Sequence, residues 1–261
     1  MSTNAKVYLV GAGSGDPELL TVKAARLIRE ADVVVYDRLI APAIIALIPA
    51  TTQRIYVGKQ SGQHTLKQDA INALLLDLSR THHTVVRLKG GDPYIFGRGS
   101  EEAQHLARHG AAFEVVPGIT AASACSAYSG IPLTHRGMAR SVQFITGHFR
   151  EDEALDFDWS RFSDTSLTLV FYMGLANLPA ICTQLIAAGR LPSTPAAVIE
   201  NGSTPQQRRL ISDLQHLSAA AEREAFMSPS LIIVGDVVSL ADELDWFSAA
   251  PEQEQNYAFV G

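Results

Sequence analysis

Cysteine is scarce in this chain of 261 residues, which has only Cys125 and Cys182, and no CxxC or other paired spacing joins them. This pattern indicates reduced, buried thiols rather than a disulfide framework. Long apolar runs are missing too, since none approaches the ~20 residues that cross a bilayer. The first six residues contain no apolar signal core. We therefore expect a soluble cytoplasmic protein with no membrane partner.

Basic charge is in deficit, because 21 Lys and Arg stand against 27 Asp and Glu, for a net charge of −6. This deficit argues against a nucleic-acid partner held by a general basic field, although a local basic pocket remains compatible with it. His105 and His109 share a helix face at metal-ligand spacing, but Leu106 occupies the position of the zinc-protease glutamate. We predict a solvated helix face there and no metal.

The chain has enough apolar residues, 47% of the total, to bury two cores. Up to residue 128, strand and helix patterns alternate with short loops, which predicts a mostly parallel sheet covered by helices on both faces. The predicted strands are 6–10, 32–36, 54–57, 84–88 and 113–116. The predicted helices are 17–30, 42–48, 67–80, one after Gly99, and 120–128.

A second set of patterns follows a Gly- and Pro-containing break at 129–134. Its predicted strands are 142–146, 167–172, 196–200, 208–212 and 230–234, with helices at 177–188 and 213–221. We therefore predict an α/β protein with an N-terminal α/β domain over 1–133 and a smaller C-terminal α/β domain over 134–247. The polar segment 248–261 is expected to be a disordered tail.

The most informative segment is the sequence KGGDPYIFGRGSEE at 89–102, which connects a predicted buried strand to a predicted helix. Glycines let backbone groups approach a ligand, while Asp92 offers a fixed acceptor and Arg98 a forked donor. The length of the loop exceeds what a simple connection needs, so the sequence predicts a ligand cradle. An ordinary glycine-containing turn is the alternative.

An earlier glycine loop, VGAGSGDP at 10–17, follows the first strand and resembles the dinucleotide fingerprint. Asp16, however, stands where that fingerprint has its third small residue, and it would face an anionic pyrophosphate. Asp37 lies roughly where a ribose-binding acid would follow the second strand. A nicotinamide-dependent oxidoreductase therefore remains an alternative function.

Charged residues follow three successive strands of the predicted parallel sheet. Asp37 with Arg38, then Lys59, then Asp92 lie at its carboxyl edge, where ligands bind in open α/β sheets. Thr120 begins a helix, where free N–H groups can hold a polar ligand atom. Helix caps and solvated loop residues are the alternatives for each of these positions.

Basic residues cluster after the domain break, at His135, Arg136, Arg140, His148 and Arg150. Arginine forks bind carboxylates in a bidentate manner, so this cluster predicts a pocket for a polyanionic substrate. A solvated basic surface is the alternative.

Taken together, these motifs resemble the tetrapyrrole methylase family, and within it the uroporphyrinogen-III C-methyltransferases, over roughly residues 7–247. The broad family is indicated by VGAGSGDP at 10–17 and GGDP at 90–93. The narrower resemblance rests on YDRL at 36–39, VGK at 57–59, IFGRG at 95–99, PGITAA at 117–122, IPLTHR at 131–136, TGH at 146–148, FYMG at 171–174 and ENG at 200–202. Ser14 is a departure, because this family usually has proline there.

The resemblance implies two methyl transfers from S-adenosylmethionine to C-2 and C-7 of uroporphyrinogen III. The products would be precorrin-2, formed via precorrin-1, and S-adenosylhomocysteine. It also implies a homodimer in which the cofactor lies in a cleft between the two domains. The positions that match cofactor-binding residues of the family are Ser14, Gly90, Gly91, Asp92, Ile95, Thr120, Ala121, Met173 and Gly202.

The resemblance further implies that Asp37 is a proton acceptor and Lys59 a proton donor, with Arg98 as a third catalytic residue. The residues expected to bind the substrate are Arg38, Arg98, Glu101, Arg136 and His148. A tetrapyrrole-binding carrier that uses the same cleft is a non-enzyme alternative. The product could enter a sirohaem, cobalamin or modified-haem pathway.

Overall fold

The computed structural model of the protein describes residues 5–58, 67–147 and 157–247. Lys59, His148, Arg150 and the predicted tail at 248–261 lie outside the described residues. The predictions made for these residues therefore stay predictions.

The first sheet is entirely parallel, with strand order β3-β2-β4-β1-β5. Its strands are β1 Lys6–Gly11, β2 Val33–Tyr36, β3 Gln53–Tyr56, β4 Thr84–Lys89 and β5 Phe113–Val116. Short β-branched runs such as Val33–Tyr36 suit strands buried on both faces. The predicted parallel sheet is confirmed, and its carboxyl edge carries the candidate loops.

Helices cover both faces of this sheet, as predicted. They are α1 Val22–Glu30, α2 Pro42–Ile45, α3 Gln68–Thr81 and α4 Gly99–Arg108. Leu27 of α1 and Ile44 of α2 pack in the core cluster of one face. Leu75 of α3 and Leu106 of α4 pack in the cluster of the other face.

Two predicted helices are shorter in the structure. The helix predicted over 17–30 is split, because Asp16 caps a 3-10 turn at Pro17–Leu19 and Thr21 then caps α1. The helix predicted over 42–48 ends at Ile45 and tightens into i→i+3 turns at Leu47 and Ile48.

The second sheet has strand order β6-β7-β10-β8-β9. Its strands are β6 Ser141–Thr146, β7 Leu167–Tyr172, β8 Pro195–Glu200, β9 Arg208–Asp213 and β10 Ser230–Val234. The β6–β7 pair is parallel, and the pairs that join β7, β10, β8 and β9 are antiparallel. Helices α6 Leu178–Ala187 and α7 Leu217–Arg223 pack in the core cluster of this sheet. The α/β class with two sheets is therefore confirmed.

Helix α5, Ala121–Tyr128, connects the two sheets. Its buried residues Ala122 and Cys125 belong to the apolar cluster that also contains Val170 of β7 and Ile199 of β8. The helix therefore packs on the second sheet, although β5, the strand that precedes it in the chain, belongs to the first sheet. The predicted domain boundary between residues 133 and 134 stays a prediction.

Both cysteines are buried free thiols, as expected from the sequence. Burial raises the pKa of the Cys125 thiol to about 12 and that of Cys182 to about 11. Both thiols are therefore protonated and unreactive near neutral pH. In the part of the chain that the structure describes, no helix is long and apolar enough to cross a membrane.

Candidate functional site

Three glycines from three different loops meet at the carboxyl edge of the first sheet. A Cβ at Gly11 would lie 2.5 Å from Gly118 N, and a Cβ at Gly118 would lie 2.3 Å from Gly91 O. Gly91 also exchanges backbone hydrogen bonds with Gly13, at 2.7 and 3.2 Å. The glycines therefore hold the loops after β1, β4 and β5 together through backbone contacts that a side chain would block.

Asp92 fixes the shape of the loop that follows β4. Its Oδ1 accepts a hydrogen bond from Tyr94 N at 2.8 Å, and its Oδ2 accepts one from Gly118 N at 3.1 Å. The side chain is partly exposed, not buried. Both carboxylate oxygens thus already bind backbone, which identifies Asp92 as a residue that shapes the cradle. Its direct contact with a cofactor stays a prediction.

Residues in the left-handed backbone region are concentrated in the candidate loops. Phe96 and Arg98 have φ of 51° and 58°, Met173 has φ of 56°, and Asn201 and Ser203 have φ of 50° and 58°. Non-glycine residues adopt this conformation at a cost, and such residues cluster at functional sites. These five residues belong to the loops after β4, β7 and β8, which are the loops that the sequence singled out.

The second sheet contributes residues that face helix α5. Met173 is 50% exposed, so it does not occupy the core position that an apolar residue after β7 would ordinarily have. Gly202 is buried, and a Cβ there would lie 2.3 Å from Cys125 Sγ. The loop after β8 therefore lies directly against α5, whose first residue is Ala121.

Tyr172 connects the two sheets at the beginning of α5. Its hydroxyl accepts a hydrogen bond from Ala122 N at 3.0 Å and lies 2.7 Å from Thr120 Oγ1. Thr120 occupies the N-cap position, but its side chain makes no capping bond and pairs with Tyr172 instead. Burial raises the pKa of the Tyr172 phenol, so this group is neutral at physiological pH. The sequence pattern did not single out Tyr172; its position at the end of β7 was the available signal.

Phe96 extends this connection into the glycine-rich loop. Its ring centroid lies 4.9 Å from that of Tyr172, and Phe144 of β6 lies 5.8 Å from Tyr172 on the other side. Ile95 packs partly buried against the cluster that includes Ala122. The glycine-rich loop therefore packs, through Ile95 and Phe96, against Tyr172 and the cluster that contains the first turn of α5.

The first glycine loop contacts the second sheet. Ser14 Oγ lies 2.6 Å from Ser203 Oγ, and a Cβ at Gly15 would lie 2.4 Å from Thr204 Cγ2. Asp16 accepts a hydrogen bond from the Tyr128 hydroxyl at 2.5 Å. The loop thus holds the two halves together and does not present an open pyrophosphate cradle. This arrangement disfavours the nicotinamide alternative, while the predicted cofactor contact of Ser14 stays a prediction.

Asp37 lies at a solvent-open pocket of about 480 Å³ that is also lined by Arg38, Leu39 and Gly58. Its Oδ1 accepts a hydrogen bond from Leu39 N at 3.1 Å. Leu39 in turn contacts Gly90, where an added Cβ would lie 2.9 Å from Leu39 Cβ. Asp37 therefore adjoins the start of the glycine-rich loop, and Arg38 is exposed at the same pocket.

A buried set of charges lies behind Asp37, and the sequence analysis did not single it out. Arg87 Nη2 donates to Asp37 Oδ2 at 2.9 Å, and Arg87 Nε donates to Glu102 Oε1 at 3.2 Å. Lys89 Nζ donates to the same Glu102 oxygen at 2.9 Å. Burial, and next the charge of Arg87, lower the pKa of the Lys89 ammonium, whereas Glu102 opposes this shift. The signal was two cations at alternate positions of an otherwise apolar strand.

Arg98 and Glu101, two predicted substrate residues, bind each other. Arg98 Nε and Nη2 donate to the two Glu101 carboxylate oxygens, both at 2.8 Å, and the side chains are 57% and 49% exposed. The Arg98 guanidinium lowers the pKa of the Glu101 carboxyl. An exposed pair of this kind is worth at most about 1 kcal/mol, so a substrate carboxylate can displace Glu101 from the fork.

The remaining predicted residues lie apart from these contacts. Arg136 is exposed in the segment between α5 and β6. The rings of His105 and His109 stack with centroids 4.3 Å apart. Within residues 5–58, 67–147 and 157–247, no group of three or more His, Cys, Asp or Glu side chains could hold a metal ion.

Comparison with known proteins identifies the family. The model of the tetrapyrrole (corrin/porphyrin) methylases matches residues 6–218. A uroporphyrin III C-methyl transferase from Thermus thermophilus is 44% identical, with a TM-score of 0.77 over 90% of this chain and 99% of that one. A cobalt precorrin-4 methyltransferase is 25% identical, with a TM-score of 0.80 over 91% of this chain and 98% of that one. The chain belongs to the tetrapyrrole methylase family.

The curated relatives include longer proteins. A siroheme synthase from Azotobacter vinelandii is 56% identical over 242 residues, which are 93% of this chain and 52% of that protein. The chain thus spans about half the length of the curated relatives that it matches. The family assignment confirms the resemblance found in the sequence.

Proposed function

We propose that this protein is a uroporphyrinogen-III C-methyltransferase that transfers two methyl groups from S-adenosylmethionine, giving precorrin-2 via precorrin-1. The observation that carries the proposal is the meeting of the loops after β1, β4 and β5 at Gly11, Gly91 and Gly118, with Tyr172 of β7 and the loop after β8 both in contact with α5. The Thermus thermophilus relative, which shares this fold at 44% identity, has been crystallised with S-adenyl homocysteine.

The residues around the start of α5 fit this cofactor. A Cβ on Gly91 would lie 3.6 Å from Ala121 N, so the backbone of the glycine-rich loop passes close to the beginning of the helix. Backbone N–H groups of a helix start suit a carboxylate or ribose oxygen. Met173, which follows Tyr172 and is 50% exposed, offers an apolar surface. When bound, the cofactor supplies an electrophilic methyl group on a sulfonium.

The site needs to align the reactants and remove one proton in each transfer. As a carbon–methyl bond forms and the sulfur–methyl bond breaks, the macrocycle becomes cationic and must lose a proton to restore conjugation. Asp37 lies at an open pocket beside the glycine-rich loop, and Arg87 holds its Oδ2 in place. We assign Asp37 as the proton acceptor. Lys59, the proposed proton donor, follows Gly58 of the same pocket.

The substrate carries eight carboxylates, which suit basic side chains at the mouth of the cleft. Arg38 lines the Asp37 pocket, and Arg98 extends from the other end of the glycine-rich loop. Arg136 and His148 complete the proposed set, and Glu101 acts by holding Arg98 until a carboxylate replaces it. A local cluster of this kind is compatible with the net charge of −6.

The homodimer and the cytoplasmic location belong to the same proposal. They are supported by the family assignment and by the reduced state expected for the two buried thiols. Light scattering at micromolar concentration tests the dimer, and a fully active monomer would contradict it.

Mass spectrometry of the product tests the activity. Uroporphyrinogen III is incubated anaerobically with the protein and S-adenosylmethionine, and a reaction without the methyl donor serves as control. We expect a product with two added methyl groups. Full conversion to a singly methylated product would contradict the assignment, and binding without any product would favour the carrier alternative.

A further inference from the structure

Among the charged residues that the structure describes, the most deeply buried is Glu102 in the first turn of α4, whose side chain is 0% exposed. Its Oε1 accepts hydrogen bonds from Arg87 and Lys89, and Gln68 Nε2 lies 3.4 Å from the same atom. Its Oε2 has no hydrogen-bond partner among the described residues. A buried carboxylate is costly unless cations compensate it, so this position requires a reason beyond packing.

The neighbours of Glu102 connect it with each part of the candidate site. Arg87 contacts Glu102 with Nε and Asp37 with Nη2, so one guanidinium joins the buried carboxylate to the proposed proton acceptor. Lys89 is the residue immediately before Gly90, and its backbone carbonyl accepts from Ala12 N at 2.8 Å. Glu102 itself follows the glycine-rich loop by three residues, after Gly99.

Glu102, which follows the end of that loop in sequence, therefore binds Lys89 at its start and Arg87, the residue that holds Asp37. The side chains of Arg87 and Lys89 are 4% and 5% exposed, so water does not compete for these contacts. Glu101, the neighbour that the sequence favoured, is half exposed and contacts Arg98 alone among these residues. The two adjacent glutamates therefore have different roles.

We propose that Glu102 is a positioning residue for methyl transfer, which holds Asp37 through Arg87 and the start of the glycine-rich loop through Lys89. The inference rests on the proposed function and adds to it a buried residue that touches neither reactant. Alignment within fractions of an ångström governs methyl transfer, and a displacement of about 1 Å can cost roughly a hundredfold in rate.

The two contacts of Glu102, one arm through Arg87 to Asp37 and the other through Lys89 to the glycine-rich loop, can be separated by substitution. Glu102→Gln preserves the shape but removes the charge that faces both cations. We expect kcat to fall by about tenfold to a hundredfold, with weaker binding of S-adenosylhomocysteine. Lys89→Met removes only the arm to the loop, so we expect weaker S-adenosylhomocysteine binding with kcat at saturating cofactor within about threefold of the unmodified protein.

Glu114→Gln is the matched control. Glu114 of β5 also binds two lysines, Lys6 of β1 and Lys23 of α1, but those lysines are 36% and 49% exposed and lie away from the site. We expect kcat and cofactor affinity to be unchanged in this variant. Each variant is measured by steady-state kinetics, by calorimetry with S-adenosylhomocysteine and by thermal unfolding.

A variant that pairs Lys89→Met with Glu102→Gln guards against a simple folding defect, since it leaves Arg87 and Asp37 as a balanced pair. We expect its melting temperature to recover relative to Glu102→Gln while kcat stays low. Recovery of kcat together with the melting temperature would overturn the positioning role, as would normal kcat in Glu102→Gln. Failure of the unmodified protein to methylate uroporphyrinogen III would instead contradict the proposed function itself.

Discussion

Two buried arginines distinguish the two halves of the molecule. Arg87 of the first sheet is 3% exposed and Arg190, which follows α6, is 2% exposed. Arg87 binds the carboxylates of Asp37 and Glu102 at the carboxyl edge of its sheet. Arg190 binds backbone carbonyls instead, with Nε 2.6 Å from Phe162 O and Nη2 2.7 Å from Leu167 O.

The difference indicates what each buried cation does. Arg190 holds the 3-10 turn Trp159–Phe162 next to the start of β7. This role is structural, because its partners are backbone carbonyls. Arg87 connects two carboxylates, Glu102 and Asp37, and Asp37 lines an open pocket. Burial alone therefore does not identify a functional residue; the proposed role of Arg87 rests on the charged partners that connect it to the pocket.

The sharpest test of the first half is Asp37→Asn. The amide keeps the size of the side chain but cannot accept the substrate proton, so we expect kcat to fall by roughly a hundredfold to ten-thousandfold. The melting temperature should fall as well, because the amide cannot pair with the buried Arg87 as the carboxylate does, whereas S-adenosylhomocysteine affinity should change little and kcat is compared on the folded variant. Activity within about threefold of the unmodified protein would assign the base elsewhere.

Arg190→Met tests the second half in the opposite sense. The substitution keeps much of the apolar volume but leaves two buried carbonyls without a donor, so we expect a loss of about 2–3 kcal/mol in the free energy of unfolding. The folded fraction should retain its kcat/KM. Urea denaturation and kinetics on one preparation check both statements, and a kinetic defect without instability would erase the contrast with Arg87.

Arg98→Lys tests whether the exposed fork, and not charge alone, serves the substrate. Lysine keeps the charge but cannot bind a carboxylate in a bidentate manner, so we expect kcat/KM to fall by about tenfold to a hundredfold. Cofactor affinity should stay nearly unchanged, as calorimetry can measure. Loss of cofactor affinity would place Arg98 in the cofactor site.

The smallest expected effect is on stability and its pH dependence at Glu114. The ion pairs of Glu114 with Lys6 and Lys23 are partly exposed, in contrast with the buried ion pairs of Glu102. Hydrogen bonds from Lys23 and then Lys6 lower the pKa of the Glu114 carboxyl below its ordinary 4.5. The folded state then binds fewer protons than the unfolded state in the acidic range. The contribution of Glu114 to the free energy of unfolding is therefore complete above the ordinary carboxyl pKa of 4.5 and is lost as the pH falls below it.

Glu114→Gln should accordingly lower the melting temperature by about 1 to 3 °C near pH 7. This difference should shrink as the pH approaches about 3. Thermal unfolding across that range measures it. A difference in melting temperature that grows on acidification would contradict a lowered pKa of Glu114.

The sequence predicted the fold well where periodicity carries the information. Apolar runs such as Thr84–Lys89 and Leu167–Tyr172 marked the strands, and the regular alternation of strands and helices up to Tyr128 predicted the parallel sheet. The directions of β8, β9 and β10 were not predicted, because the side-chain pattern of a strand does not indicate whether it pairs parallel or antiparallel. The packing of α5 on the second sheet was hidden for a similar reason, since its small residues suit either partner.

The candidate site was predicted in part. The glycine loops were identified from motifs, and the structure brings those after β1, β4 and β5 together at Gly11, Gly91 and Gly118, while the roles of Asp37 and Met173 stay predictions. Glu102 was missed in favour of Glu101, although Glu102 shares the buried helix face of Leu106 four residues later. Arg87 was taken as part of an apolar run and Lys89 as the first residue of the glycine-rich loop, because a strand pattern does not reveal which carboxylate will reach its face.

The meeting of Gly11, Gly91 and Gly118 constrains how the protein can vary. At each contact the obstacle to a side chain is a backbone atom of another loop, as with the 2.3 Å between a Cβ on Gly118 and Gly91 O. A substitution elsewhere can shrink a neighbouring side chain, but it cannot remove a backbone atom. Second-site suppressors of a change at Gly11 or Gly118 should therefore be absent from a saturation library, and the three loops can diverge only by keeping this point fixed.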